Sequence, residues 1–188
     1  MRSFSALDIV RPFIESNVGE GDLCIDATAG RGNDTLLLCR LVGEKGRVIA
    51  FDIQQAAIDS TRTLLEANGV LDRAELHCEG HESMSKYAQE GTVSCITFNF
   101  GWLPGGDHTI NTRAETSIAA IEQGLRLLRD DGVMSLCIYY GRDTGFAERD
   151  ALLDYFETID NTKYTVIVSR FVNRGGCPPI PVFIMKGR

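Results

Sequence analysis

One stretch of the chain, residues 23–35, limits most narrowly what the protein can fold into. It is an apolar run that ends at Asp26, followed by small residues, two glycines and an amphipathic helical pattern. This order predicts a strand, a tight loop and a helix, the opening unit of an α/β domain that binds a dinucleotide or a nucleoside. Gly30 and Gly32 would let the loop backbone approach a ligand closely. The first amides of the helix could then receive polar or negatively charged ligand atoms.

The residues around this loop favour one ligand over another. A dinucleotide fingerprint has a third glycine where this chain has Thr35, and the carboxylate of Asp26 would repel a pyrophosphate. A ligand that carries an ammonium and a sulfonium, such as S-adenosylmethionine, would not be repelled. Asp52 ends the second apolar strand, where a carboxylate can accept both hydroxyls of a ribose. Glycine-containing loops occur in many folds, so it is the loop together with Asp52 that predicts a nucleoside cofactor, with the methyl donor favoured over NAD.

Composition sets the outer limits. With 188 residues, 44% of them hydrophobic, the chain is expected to form a single domain over residues 1–188. The net charge of −7 predicts no general basic surface, so any contact with RNA must be local. We see no signal peptide or membrane-spanning run, and the six cysteines form no C-x-x-C pair. We therefore expect a cytoplasmic protein without a metal site, in which Cys24, Cys95 and Cys137 are buried in strands.

Strand and helix patterns alternate along most of the chain. Strands are predicted at residues 23–25, 47–51, 74–78, 93–98 and 133–139, and helices at residues 7–18, 33–41, 54–67, 81–90, 112–128 and 145–159. Asp131 and Gly132 are interpreted as a turn. The alternation stops near the end, where two strands at residues 164–172 and 182–186 follow one another without a helix between them. The pattern predicts a Rossmann-like α/β fold of the class I S-adenosylmethionine-dependent methyltransferase type. Its seven-stranded, mostly parallel sheet would carry helices on both faces and end in an antiparallel hairpin.

Three loops at the carboxyl ends of predicted strands contain the other candidate site residues. Open α/β sheets bind their ligands at this edge. His81 and Glu82 follow the third strand and either contact an adenine edge or simply begin a helix. Residues 99–108 follow the fourth strand and include the only tryptophan, Trp102, which either stacks on a base or packs in the core. Residues 139–142 follow the fifth strand and supply polar groups to the same rim.

Several of these segments together resemble one small bacterial family labelled as rRNA methylases. The segments are Asp-Ala-Thr-Ala-Gly-Arg-Gly-Asn-Asp-Thr at residues 26–35, Phe-Asp-Ile-Gln at 51–54, His-Glu at 81–82, Phe-Asn-Phe-Gly-Trp-Leu-Pro-Gly-Gly-Asp at 98–107 and Thr-x-x-Glu-Thr at 112–116. The family looks like the enzymes that methylate 5-aminomethyl-2-thiouridine at the tRNA wobble position. The resemblance runs from about residue 21 to the end of the chain. It departs from the family pattern at residues 142–145 and at residues 176–177.

The loops and the resemblance together imply S-adenosylmethionine as cofactor and RNA as partner, with tRNA favoured over rRNA, and a homodimer is a possible assembly. The expected cofactor-binding residues are Asp26, Thr28, Gly30, Gly32, Asn33, Asp34, Thr35, Asp52, Ile53, Gln54, His81, Glu82, Asn99 and Gly101. The expected catalytic residues are Asn99, Asp107 and His108. The expected substrate-binding residues are Trp102, Gly105, Gly106, Arg113, Tyr139, Arg142 and Arg174, with Arg170 as a further RNA contact.

The implied reaction is a direct transfer of the methyl group to an amine nitrogen of a modified base. Asn99 would hold the hydrogens of the neutral amine, and Asp107 or His108 would take the proton, with the family motif favouring Asp107. Three alternatives remain open: a methyltransferase that acts on a small molecule, an NAD-dependent oxidoreductase, and a non-catalytic cofactor-binding module.

Overall fold

The structure, a computed structural model, describes residues 4–101, 114–141 and 145–187. The helices are α1 Leu7–Asn17, α2 Asn33–Val42, α3 Gln55–Ala67, α4 Ala114–Leu127 and α5 Phe146–Glu157. The strands are β1 Leu23–Asp26, β2 Arg47–Phe51, β3 Ala74–His77, β4 Val93–Phe100, β5 Leu128–Ile138, β6 Tyr164–Val168 and β7 Ile180–Lys186. Two 3-10 turns lie at Leu71–Arg73 and His81–Lys86.

The seven strands form one sheet in the order β3-β2-β1-β4-β5-β7-β6. Strands β1 to β5 pair in parallel, whereas β7 runs antiparallel to both β5 and β6. This arrangement confirms the predicted mostly parallel sheet with an antiparallel C-terminal hairpin. Because β1 lies between β2 and β4, the loops after these three strands meet where the strand order reverses, which is where open α/β sheets bind ligands.

Helices cover both faces of the sheet, as predicted. On one face, α4 and α5 pack on the inward side chains of β4 and β5, among them Phe98 and Leu136. On the other face, α1, α2 and α3 pack around Cys24, Val48 and Cys95. The thiols predicted to be buried in strands, at Cys24, Cys95 and Cys137, are buried. None of the helices in the described part of the chain has the length and apolar character needed to cross a membrane.

Several predicted boundaries differ from the structure, and the largest differences concern β5, the segment after β3 and β6. The predicted turn at Asp131 and Gly132 is instead an irregularity inside β5, which already begins at Leu128. The pairing of β4 with β5 shifts there, and Asp131 has a φ of 61°, a left-handed conformation that also occurs in turns. The helix predicted at residues 81–90 is a shorter 3-10 turn, and the strand predicted at residues 164–172 ends at residue 168.

Candidate functional site

The loop after β1 is tied to its two neighbouring strands by backbone hydrogen bonds. The Ala27 amide donates to the Thr97 carbonyl of β4 at 2.9 Å, and the Ala29 amide donates to the Phe51 carbonyl of β2 at 2.8 Å. The Gly30 amide then donates to the Oδ2 atom of Asp52 at 2.9 Å. The three strand ends that were predicted to share a ligand are therefore joined into one rigid edge.

Asp26 braces this loop from inside. Its side chain is fully buried, and its carboxylate accepts the Thr28 amide at 3.2 Å and the Thr35 hydroxyl at 2.6 Å. Burial first, and then the nearby charge of Asp34, raise the pKa of the Asp26 carboxyl to about 7. Each carboxylate oxygen already has a hydrogen-bond donor within the protein. The observed role of Asp26 is therefore structural: it fixes the conformation of the loop after β1. Its predicted contact with the cofactor stays a prediction.

Asn99 is held in one orientation at the carboxyl end of β4. Its backbone amide donates to the Thr28 hydroxyl at 2.7 Å, and its side-chain Nδ2 donates to the Asp34 carboxylate at 2.8 Å. A carboxylate that lacks a proton only accepts hydrogen bonds, so the amide nitrogen must face Asp34. The remaining group of the Asn99 side chain is its carbonyl oxygen, which is an acceptor. The structure thus joins Asp26, Thr28, Asp34 and Asn99 into one network.

Asp52 and Ile53 form a second pair at the end of β2. The half-buried carboxylate of Asp52 accepts the amides of Gly30 and Gln54, both at 2.9 Å. The apolar side chain of Ile53 beside it is 59% exposed. A carboxylate next to an uncovered apolar surface suits a nucleoside, because the ribose offers hydroxyls and the base offers an apolar face.

Gly32 has a packing role that the sequence did not indicate, and its predicted contact with the cofactor stays a prediction. It has a φ of 83°, and a Cβ atom placed on it would lie 2.9 Å from the Cα atom of Thr61 in α3. Glycine is therefore required here so that the start of α2 can pack against α3. Gly30, with a φ of 55°, stays at the open side of the loop and receives the Thr61 hydroxyl on its carbonyl at 3.4 Å.

His81 begins the 3-10 turn after β3 and lies against the same loop. Its imidazole forms a hydrogen bond with the backbone of Ala27, and its ring meets Phe98 and Phe100 edge-on at 5.9 and 6.1 Å. Burial lowers the pKa of His81, because the charged imidazolium is poorly solvated there. Its buried Nε2 has no hydrogen-bond partner within the described residues. Glu82 is exposed, as is Asn33 at the start of α2, so both are accessible to a ligand.

The predicted substrate side is described only in part. Tyr139, directly after β5, donates its amide to the Phe100 carbonyl at 2.8 Å, and Gly101 comes close to its side chain. Arg174 lies apart from the network, on the loop between β6 and β7. The other predicted residues lie outside the described residues: Trp102, Gly105, Gly106, Asp107, His108, Arg113 and Arg142.

Comparison with known proteins identifies the family. The family model described as "Putative rRNA methylase" matches residues 48–185. The chain belongs to this family. It is 32% identical over 190 residues to the "tRNA (mnm(5)s(2)U34)-methyltransferase, chloroplastic" of Arabidopsis thaliana, an alignment that covers 96% of this chain and 69% of that protein.

Two solved structures support the same assignment. A "putative rRNA-methylase" from Clostridium thermocellum is 42% identical and has a TM-score of 0.95, with 99% of this chain and 100% of that chain covered. A putative methyltransferase from Streptococcus mutans, solved in complex with SAH, is 31% identical with a TM-score of 0.88, and 99% of each chain is covered. The chain is therefore an S-adenosylmethionine-dependent methyltransferase, and the predicted family, fold and methyl donor are confirmed.

Arg170 and Arg174 were predicted as RNA contacts, whereas a third arginine beside them, Arg149, was not predicted from the sequence. Arg149 of α5 lies between the rings of Tyr140 and Phe146 and shares a groove with Arg170 and Arg174. The spacing of Phe146 and Arg149, one helical turn apart, was a signal that these two side chains share a face of α5. The partner segment after β6 carried no comparable signal.

Proposed function

We propose that this enzyme transfers the methyl group of S-adenosylmethionine to an amine nitrogen of a modified RNA base, namely the wobble 5-aminomethyl-2-thiouridine of tRNA. One observation carries the proposal: Asp34 and Thr28 orient Asn99 at the end of β4 with its side-chain oxygen left as an acceptor. An acceptor so fixed suits an amine, which must present hydrogens to the protein while its lone pair attacks. The name of the Arabidopsis relative supports the choice of base.

The site fits the cofactor. The carboxylate of Asp52 is positioned to receive ribose hydroxyls, and Ile53 offers an apolar surface for the base. The start of α2 offers backbone amides and the exposed side chain of Asn33. The buried Nε2 of His81 lacks a partner within the described residues, so it adds a polar atom that a ligand at this edge can satisfy. When bound, the cofactor supplies an activated methyl group on a sulfonium.

The chain's own residues then provide alignment and proton transfer. Asn99 accepts a hydrogen bond from the neutral amine through its side-chain oxygen, while Asp34 prevents its amide from turning over. The proton released on transfer is predicted to go to Asp107, with His108 as the second candidate. Neither a covalent intermediate nor a cysteine is needed for this step.

A second candidate substrate is a base of rRNA, which the description of the matching family favours. A third is a small molecule, which the net charge of −7 favours because RNA is itself an anion. Deletion of the gene, followed by mass spectrometry of nucleosides from separated tRNA and rRNA, decides among them. We expect the methylaminomethyl nucleoside of tRNA to be replaced by its unmethylated amine. Loss of a methyl group from rRNA instead, or no change in either fraction, would reject the wobble base as substrate.

A further inference from the structure

A groove lies beside the site, between α5 and the loop that joins β6 to β7. Its lining includes three arginines, two aromatic rings and the first residue of β7, and we call it the arginine groove: Tyr140, Arg149, Arg170, Phe171, Arg174 and Ile180. None of these residues belongs to the network around Asn99. The arginine groove is therefore a surface distinct from the network around Asn99.

Aromatic rings hold two of the arginines in place. The guanidinium carbon of Arg149 lies 4.8 Å from the ring centre of Tyr140 and 5.0 Å from that of Phe146. The guanidinium of Arg174 lies 4.3 Å over the ring of Phe171 and also donates to the carbonyl of Phe4. A guanidinium stacked on a ring can still donate from those N–H groups that are not bonded within the protein, and it loses little entropy when it binds a planar or tetrahedral anion.

The charges in the groove are not equal. Arg149 donates to the Asp150 carboxylate at 2.6 Å, so most of its charge is neutralised within α5. Arg170 and Arg174 are exposed, and neither pairs with a carboxylate among the described residues. On a chain with a net charge of −7, this places two uncompensated cations on one surface. Such a surface attracts an anion locally although the whole protein repels it.

The sheet places the groove close to the site. Phe100 of β4 pairs with Ile138 of β5, and Ile138 pairs with Ile180 of β7, which forms part of the groove. Neighbouring strands lie about 4.8 Å apart, so the floor of the groove lies about 10 Å from the end of β4. Tyr139 and Tyr140 continue the connection, since the Tyr139 amide donates to the Phe100 carbonyl of β4 and Tyr140 lines the groove.

We propose that the arginine groove binds the phosphates of the RNA strand next to the nucleotide that the site methylates, with Arg170 and Arg174 as the phosphate ligands. This inference rests on the proposed function, because it takes RNA as the substrate. Arg149 acts as a positioning residue that keeps Tyr140 and Phe146 together. An acidic protein partner would also meet the two cations, but only a phosphate strand has to lie within about 10 Å of the methylated base.

The test measures RNA binding as a function of salt. RNA from cells in which the gene is deleted is separated into tRNA and rRNA fractions, and the affinity of each for the full chain is measured at several salt concentrations. We expect Arg170→Ala and Arg174→Ala each to lower tRNA affinity about 3- to 10-fold at low salt. Each should also reduce the slope of log K against log salt by about 0.7 to 0.9, the contribution of one phosphate.

Matched controls separate charge from folding. Arg62→Ala removes another exposed arginine, which lies on α3 and does not line the groove, and should leave tRNA affinity and salt slope unchanged. Phe4→Ala disturbs the packing of Phe4 on Phe171 without removing a charge, so it should leave the salt slope unchanged even where it lowers the melting temperature. The affinity for SAH should be the same in all four variants.

The groove proposal and the proposed function fail in different ways. If the wild-type enzyme binds and methylates tRNA while Arg170→Ala and Arg174→Ala keep its affinity and salt slope, the groove proposal is wrong and the function stands. If these variants lose tRNA binding as expected but no wobble nucleoside is methylated, the groove binds RNA and the proposed base is wrong. Equal losses in Arg62→Ala would show a non-specific charge effect and would also overturn the groove.

Discussion

The two sides of this site carry side chains of opposite charge. On the side of β1 and β2, the polar groups are carboxylates, and Asp26 and Asp52 are engaged by amides and hydroxyls of the protein. On the side of β5 and β7, the polar groups are arginines, and Arg170 and Arg174 are exposed. The first side is built for a ligand that carries positive charge and hydroxyls, and the second for an anion.

The difference also concerns rigidity. The carboxylate side consists of short loops at the ends of parallel strands, so backbone hydrogen bonds to β2 and β4 fix its geometry before any ligand arrives. The arginine side depends on a long connection between β6 and β7, where the ring of Phe171 and a hydrogen bond to the Phe4 carbonyl hold Arg174. The first arrangement suits a small cofactor with one shape, and we propose that the second binds a strand of RNA, mainly through its phosphates.

The largest effect is expected at the boundary between the two sides, at Asn99. We expect Asn99→Ala to lower kcat by about two orders of magnitude, because the attacking amine loses its alignment, while the affinity for SAH changes far less. Steady-state kinetics and calorimetry measure the two quantities. A lower melting temperature with normal turnover in the folded fraction would mean that Asn99 only caps the loop.

The next effect belongs to the carboxylate side alone. Asp52→Ala should weaken SAH binding by about 1 to 3 kcal/mol, since two ribose hydroxyls lose a charged acceptor, and should leave the salt dependence of tRNA binding unchanged. Asp59→Ala, which removes an exposed carboxylate of α3, is the matched control and should change neither quantity. If Asp52→Ala weakened tRNA binding without affecting SAH, the two sides would not be separable as we describe them.

A third test uses the buried proton of Asp26. Because the pKa of this carboxyl is raised to about 7 from an ordinary value of 3.8, the folded state keeps a proton that the unfolded state releases. The resulting stability is fully present below about pH 4 and is lost as the pH rises to about 7. Asp26→Asn cannot ionise, so its free energy of unfolding relative to the wild type should rise between pH 5 and pH 8, on the order of 2 to 3 kcal/mol.

Asn is a suitable replacement because it can accept from the Thr28 amide and donate to the Thr35 hydroxyl, as a protonated carboxyl does. Part of the effect is shared with Asp34, whose charge contributes to the raised pKa. Unfolding curves of both proteins at each pH measure the difference. A difference that stays constant across this range would mean that Asp26 is ionised throughout.

The carboxylate side was largely predictable from sequence because its determinants are local. The strand, loop and helix at residues 23–42 were predicted to within one residue at each boundary, since an apolar run, glycines and a helical period follow one another there. The role of Gly32 was not predictable, because the residue that excludes a Cβ atom, Thr61, belongs to another helix. The start of β5 was missed because the left-handed conformation of Asp131 occurs in turns as well as in irregular strands.

On the arginine side, the sequence predicted which residues contact RNA but not that they lie close together. Arg170 and Arg174 were expected to contact RNA, but their convergence with α5 depends on β7 lying between β5 and β6. That insertion brings the loop after β6 beside the helix after β5, and no local pattern encodes it. The expectation of one domain over the whole chain, the proton acceptor and the contacts of Trp102 stay predictions.

The smallest effect is expected at Arg149, and it separates the two kinds of arginine in the groove. Its charge is balanced by Asp150, and its guanidinium is in contact with two rings. We therefore expect Arg149 to interact only weakly with a phosphate. We expect Arg149→Ala to lower the free energy of unfolding by about 1 kcal/mol, the scale of a cation–π contact at a partly exposed position. The salt slope of tRNA binding should remain that of the wild type, in contrast to Arg170→Ala. A reduced slope in Arg149→Ala would mean that the ion pair with Asp150 opens when RNA binds and that all three arginines contact phosphate.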